Sequence, residues 1–289
     1  MDPALETLLD GVIDYAGLFP PAKLDMRPAV AEYLEHLVRA ESLLVNRFVC
    51  PASRLSELGD ELGKLNTDAQ FGISVIGTGI EQVGEDQVQI VAFDRQFGEQ
   101  FSIEGYEVRA GPDIGVSLRT LRPLAALDLF LEVPLDGDVN GALHAIAESE
   151  LANAKARTGG LDANAFPSPP VLANFLRECL DLNLSFKLTA GLHHPIRQHD
   201  PESGGMMHGF LNVLVALALA EEHDLTRGEI AKILDDDNSR NFVFEPGTVG
   251  HRDLRADLDA IDGVRTLFAG FGSCSVSEPV ADLKGLGLW

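Results

Sequence analysis

Residues 153–191 read NAKARTGGLDANAFPSPPVLANFLRECLDLNLSFKLTAG. Two short runs of strand character, Asn153–Gly159 and Ser185–Gly191, flank a helical stretch, Pro169–Asp181. Strand, helix and strand in this order form a parallel βαβ unit. Successive strand residues point to opposite faces. Ala154 and Ala156 share one face of the first run, which leaves Asn153, Lys155 and Arg157 on the other. Phe186 and Leu188 share one face of the second, which leaves Ser185, Lys187 and Thr189 opposite. Each strand therefore carries a lysine on the face turned away from the helices.

The same alternation extends in both directions. Further strand-type runs are Val12–Phe19, Leu44–Cys50, Phe71–Gly77, Gly105–Gly111, Leu129–Leu135, Asn241–Gly247 and Arg265–Ser273. Helical runs lie at Arg27–Arg39, Ser53–Lys64, Glu81–Phe97, Ile114–Leu124, Val139–Glu150, Gly205–His223, Arg227–Leu234 and Arg252–Ile261. Asp25 and Thr226 stand where N-caps belong, and Pro28 suits a first helical turn. Repeated strand–helix alternation predicts a parallel α/β fold. The length of 289 residues suits one (βα)8 TIM-type barrel spanning 1–289. No Gly-x-Gly-x-x-Gly fingerprint follows the first strand to favour an open dinucleotide-binding sheet.

Nine runs compete for eight barrel positions. The preferred count begins at Leu44–Cys50 and ends at Arg265–Ser273. Residues 1–43, including the stretch Ile13–Pro21, then form an N-terminal capping helix and a lid segment stiffened by Pro20-Pro21, through which Asp14 and Tyr15 reach the mouth. The rival count keeps the first run in the barrel and leaves the last outside.

Applied along the chain, the face rule gathers charge on one inferred surface. Tyr106 and Val108 oppose Glu107 and Arg109, Leu131 and Val133 oppose Glu132, and Phe242 and Phe244 oppose Glu245. With Lys155, Arg157 and Lys187, five strands turn charges inward. A buried unpaired charge costs several kcal/mol, so such a set implies either an ion network or a polar pocket at the C-terminal strand ends. Only six residues are lysines (23, 64, 155, 187, 232 and 284), and two fall mid-strand. Arginine holds its proton, whereas a lysine that is desolvated or beside another cation can become a nucleophile. Lys155 and Lys187 are accordingly expected to depress one another's pKa and to favour a neutral amine.

Composition limits the remaining possibilities. The net charge of −23 disfavours nucleic acid and anionic membrane surfaces as partners. The longest apolar run, Phe210–Ala220, falls short of the roughly 18–20 residues that span a bilayer. An acidic N-terminus without a basic segment and three scattered cysteines (Cys50, Cys179, Cys274) predict a cytoplasmic protein with free thiols. The three read as packing residues, because no partner base is evident in the sequence.

The phrases DYAGLFPPA, AKARTGG, FKLTAGLHHPIR, MHGFLN and FGSCSVSEPV resemble those of a family of uncharacterised bacterial proteins along nearly the whole chain. That resemblance implies no activity. Two short strands, Lys155–Gly159 and Phe186–Gly191, are similar to the paired lysine strands of class I aldolases of the deoxyribose-phosphate aldolase type. The local resemblance implies that one of Lys155 and Lys187 forms a Schiff base and the other tunes it. Glu107 or Glu132 would stand in for that family's acidic proton-transfer residue. His193 and His194 have no counterpart there.

The sequence thus predicts an enzyme acting on a small anionic carbonyl compound, a Schiff-base lyase or aldolase that needs no cofactor. Lys187, Lys155, Glu107 and Glu132 are the expected catalytic groups. Arg109, Arg157, Thr189, His193, His208, Glu245, Gly272 and Ser273 are the expected substrate contacts, the last two through a phosphate-binding strand end. One alternative is a divalent-metal hydrolase or isomerase centred on His193, His208 and Glu245, which are suitable ligand types. Another is a non-catalytic protein that binds a small anion. The oligomeric state is left open.

Overall fold

The computed structural model describes residues 2–65 and 67–289. Helix α1 (Pro3–Leu9) precedes strand β1 (Ile13–Tyr15). Then follow α2 (Met26–Leu37), β2 (Val45–Pro51), α3 (Leu55–Leu62), β3 (Phe71–Ile76), α4 (Val83–Phe97) and β4 (Phe101–Arg109). The alternation continues through α5 (Ile114–Leu121), β5 (Asp128–Glu132), α6 (Val139–Ser149), β6 (Asn153–Arg157), α7 (Pro169–Asp181) and β7 (Phe186–Thr189). An excursion comes next. It holds a hairpin of β8 (Gln198–His199) and β9 (Met206–Met207), helices α8 (Phe210–His223) and α9 (Arg227–Leu234), and strands β10 (Phe242–Glu245), β11 (Thr248–His251) and β12 (Leu254–Asp257). Helix α10 (Leu258–Leu267) leads back to β13 (Phe268–Ser273), and α11 (Ser277–Gly285) follows.

Eight strands close into a barrel in the order β1-β13-β7-β6-β5-β4-β3-β2. Every pair around it is parallel. The fold is a (βα)8 TIM-type barrel, as the alternation predicts.

Neither expected count of its strands is right. Ile13–Tyr15 is a barrel strand, not part of a cap, and Phe242–Glu245 is the run left outside. The reason lies in Pro246-Gly247. Glu245 pairs directly with Thr248, so only two residues turn the chain, and Gly247 takes a positive φ of 82°. A Pro-Gly turn of this kind makes an antiparallel hairpin, which cannot join an all-parallel barrel. β12 then adds a third antiparallel strand over residues that the sequence assigns to a helix beginning at Arg252. The actual helix is α10, and it takes in Arg265–Leu267 from the start of the run expected as the last strand.

Helix α8 explains the excursion. Phe210–Ala220 is buried on every side, because α7, α9, α10 and the strands β11 and β12 all pack around it. An apolar helix without a polar face needs such a wrapping. Its one buried amide, Asn212, accepts from the Arg197 N–H at 2.9 Å and donates to the carbonyls of Ile233 and Asp236 at 2.8 and 2.7 Å. Those bonds tie the loop after β7 to the end of α9. Thr226 caps α9 through a reciprocal bond with Glu229, while Asp25 occupies the N-cap position of α2 without a side-chain bond. No helix among the described residues is long and apolar enough to cross a membrane.

Candidate active site

The barrel interior is built in register. Glu132 on β5 lies beside Lys155 on β6, and Lys155 lies beside Lys187 on β7. All three alternate with apolar neighbours that pack against the helices, so their side chains share the inner face. Glu107 on β4, Ser74 on β3 and Asp14 on β1 complete the ring. Asp14 joins it by the same alternation, with buried Ile13 and Tyr15 on either side. Glycine replaces a side chain on β13: a Cβ at Gly272 would stand 3.3 Å from Thr189 Oγ1, so its absence keeps that side of the mouth open.

Lys187 is 1 % exposed and donates to both Asp14 and Glu107. Its ammonium lies 5.6 Å from the centre of the Phe130 ring. Lys155 Nζ stands 2.9 Å from Glu107 Oε2 and 3.1 Å from Glu132 Oε2. Glu132 Oε1 meets Arg157 Nε at 3.4 Å. Ser74 Oγ donates to Glu107 at 2.6 Å, and the Arg47 backbone N–H donates to Asp14 at 3.0 Å. Three formal cations thus interleave with three carboxylates, and Glu107 bridges the two lysines.

This interleaving overturns the expectation of a neutral amine at Lys187. Burial alone would lower its pKa, but Asp14 and Glu107 outweigh burial and raise it. The nearest charges are carboxylates, not the neighbouring lysine, and opposite charge favours the ionised form. For Glu107, burial would raise the pKa, yet Lys155 and Lys187 prevail and hold it well below the usual carboxylate range. Glu132 is lowered in the same way: Lys155 and Arg157 overcome its burial.

A cavity of about 1130 Å³ opens above this ring. Glu107, Lys155, Arg157, Lys187, Thr189 and Gly272 line it, and so does His193. The segment after β1, with Phe19, Pro20, Pro21 and Ala22, forms part of its wall. The loops after β6 and β7 cross tightly beneath the rim. A Cβ on Gly191, whose φ is +77°, would come 2.9 Å from the Gly159 Cα. Thr158 Oγ1 donates to the Thr189 carbonyl at 3.3 Å and to that of Ala190.

Four expected contacts lie elsewhere. Arg109 is the last residue of β4, in register with Glu132 on β5; it is exposed and outside the cavity wall. Ser273 turns its hydroxyl into its own strand end, donating to the Ser275 carbonyl at 2.7 Å. His208 is fully buried with Nε2 against the Pro167 carbonyl at 2.7 Å, and burial pushes its pKa down to about 4. Glu245 lies on the antiparallel sheet, accepting from Arg255 at 3.0 Å. His193, His208 and Glu245 therefore do not converge, and no cluster of three metal-ligating side chains occurs among the described residues.

His193 and His194 both turn toward α11. His193 Nδ1 lies 3.4 Å from Glu278 Oε2, and His194 Nδ1 lies 2.6 Å from Asp282 Oδ2. Burial would lower the His193 pKa, but Cys274 and Glu278 outweigh it and raise it to about 9. Glu278 and Cys274 also line the cavity. Neither was expected there, because their placement depends on where β13 delivers α11.

No protein-family model matches the chain, and no curated protein matches it. Among solved structures, the chain is similar to Amidohydrolase 2 from Bifidobacterium longum subsp. infantis, with a TM-score of 0.31 and 12% identity over 61% of this chain and 82% of that one. A likeness that loose carries no argument about activity.

Proposed function

We propose that the protein is an enzyme that binds a small anionic carbonyl compound in the barrel mouth and forms a Schiff base with it, as a lyase or aldolase does. The observation behind this reading is the pair of register-matched lysines that share Glu107 at the floor of an open cavity. Lys155 is assigned as the nucleophile and Lys187 as the fixed cation. Lys187 is held between two carboxylates buried to the same degree as itself. Lys155 has 5% of its side chain exposed against 1% for Lys187, and its second partner, Glu132, is already shared with Arg157, so Lys155 is the more accessible of the two.

The proton path is short. Lys155 passes a proton to Glu132 and its free amine adds to the carbonyl carbon. Proton transfer from nitrogen to oxygen gives a carbinolamine. Glu132 then protonates the hydroxyl, which leaves as water, and an iminium remains on Lys155. Ammonium has been replaced by iminium and Glu132 is again a carboxylate, so the charge balance of the ring is unchanged. Arg157, with 54% of its side chain exposed at the rim, is placed to hold the substrate's anionic group. No cofactor is required.

The test is reductive trapping. The purified protein is incubated with a panel of small oxo-acids and phosphorylated aldehydes in the presence of borohydride. Intact-mass spectrometry should show a gain matching one reduced adduct per chain. No gain with any member of the panel overturns the reading.

A further inference from the structure

The side of the mouth that faces the lysine strands is apolar. Lys155 and Arg157 come from β6 and Lys187 from β7. In the closed order of the barrel, the strand four places round from β6 is β2, and the strand four places round from β7 is β3. The residues that these two strands turn into the cavity are Val49 and Ile76. Val49 lies beside Ser74, and Ile76 lies in register with Glu107 on the next strand. The loop after β1 extends the same wall with Ala16 and Phe19.

This wall offers a substrate little to hydrogen-bond. The polar side chains beneath it are engaged, Asp14 by Lys187 and the Arg47 N–H, and Ser74 by Glu107. The Phe19 N–H donates to the Ala16 carbonyl at 2.9 Å. Pro20 and Pro21, which follow on the same loop, have no N–H to offer. A hydroxyl pressed against this surface would lose water without gaining a partner, whereas an alkyl or aryl group gains by leaving water. The cavity volume of about 1130 Å³ is also far more than a three-carbon oxo-acid fills, and it lies at the large end of small-ligand sites.

We infer that the substrate is a 2-oxo-acid with an apolar tail, alkyl or aryl, and that Phe19, Val49 and Ile76 select that tail. The inference rests on the lysine reading given above. Lys155 and Arg157 are two residues apart on one face of β6, about 7 Å along the strand. A carboxylate next to the reacting carbonyl carbon can therefore meet Arg157 while the rest of the molecule crosses to the side of β2 and β3. A polyhydroxylated sugar phosphate would set its hydroxyls against the same wall and is disfavoured.

Two measurements separate the tail from the chemistry. The first is calorimetric titration with straight-chain carboxylates from butanoate to heptanoate, which have no keto or aldehyde group to trap. Affinity should rise about fourfold per methylene, and gluconate should bind at least ~10-fold more weakly than hexanoate. Ile76→Thr should flatten that gradient, and Val49→Thr, close in volume, serves as the second variant if Ile76→Thr does not fold. Affinity independent of chain length, gluconate binding as tightly as hexanoate, or a gradient unchanged in both variants overturns the inference. The second is borohydride trapping of 2-oxooctanoate beside pyruvate and glyceraldehyde 3-phosphate. The long oxo-acid should be trapped at least ~10-fold faster than either. Equal or slower trapping overturns the inference. A chain-length gradient with no adduct from any of the three overturns the lysine reading and upholds the selection of an apolar tail.

Discussion

Glu107 touches both lysines, and removing its charge leaves two ammonium groups facing an amide. Breaking a buried pair in this way costs roughly 3–5 kcal/mol. Glu107→Gln should lose about that much in urea denaturation, and a loss below about 1 kcal/mol would show that the ring is not stabilised through this residue. The pH dependence has a definite sign. The folded Glu107 pKa lies below its ordinary value of 4.5, so its contribution is complete above that pH and is lost as pH falls toward the folded value. Glu107→Gln should flatten the acid limb of the stability curve. His193 has the opposite sign. Its pKa rises from 6.5 to about 9, so its contribution is full below pH 6.5 and disappears as pH rises through about 9. The groups around it are Glu278 and Cys274, with the His194–Asp282 pair and Asp200 nearby. NMR titration of His193 should show the raised pKa, and Glu278→Gln should lower it. At this scale most of the ring was legible from alternation alone: Glu107, Glu132, Lys155 and Lys187 all face inward as their neighbours require. Asp14 obeys the same rule, but a strand of three residues is too short for alternation to stand out.

The elements that position the mouth were legible as types more than as partners. Alternation marks the eight barrel strands and misses β8, β9, β11 and β12, and it cannot say which strand pairs with which. Glu245 shows the consequence. It follows the face rule, but its strand turns back at Pro246-Gly247 and never enters the barrel, so its inner face is not the barrel's inner face. The Pro-Gly turn was the available signal. Glu278 and Cys274 left none, because their place on the cavity wall arises from the packing of α11 beside the loop after β7. The crossing of Gly159 and Gly191 fixes that loop. Gly191→Ala would add a Cβ 2.9 Å from the Gly159 Cα at a residue with φ +77°. The expected cost is about 1–3 kcal/mol, a strain that local movement of the loop would relieve at the expense of its order. Hydrogen exchange should report faster opening of residues 189–197, and unchanged protection would contradict the role given to the crossing.

The whole molecule is an acidic barrel around a charge-balanced mouth. Its net charge of −23 repels anions at long range, so the anionic substrate proposed above would rely on cations at short range, where Arg157 and the buried lysines stand. The excursion between β7 and β13 serves the same site: it wraps α8 and anchors the histidine loop through Asn212. The decisive measurement is the position of the borohydride-trapped adduct, read by tandem mass spectrometry of the trapped wild-type protein and of Lys155→Arg and Lys187→Arg. The adduct should lie on Lys155, vanish in Lys155→Arg, and form more slowly but at the same residue in Lys187→Arg. An adduct on Lys187, or one that survives in Lys155→Arg, would contradict the assignment.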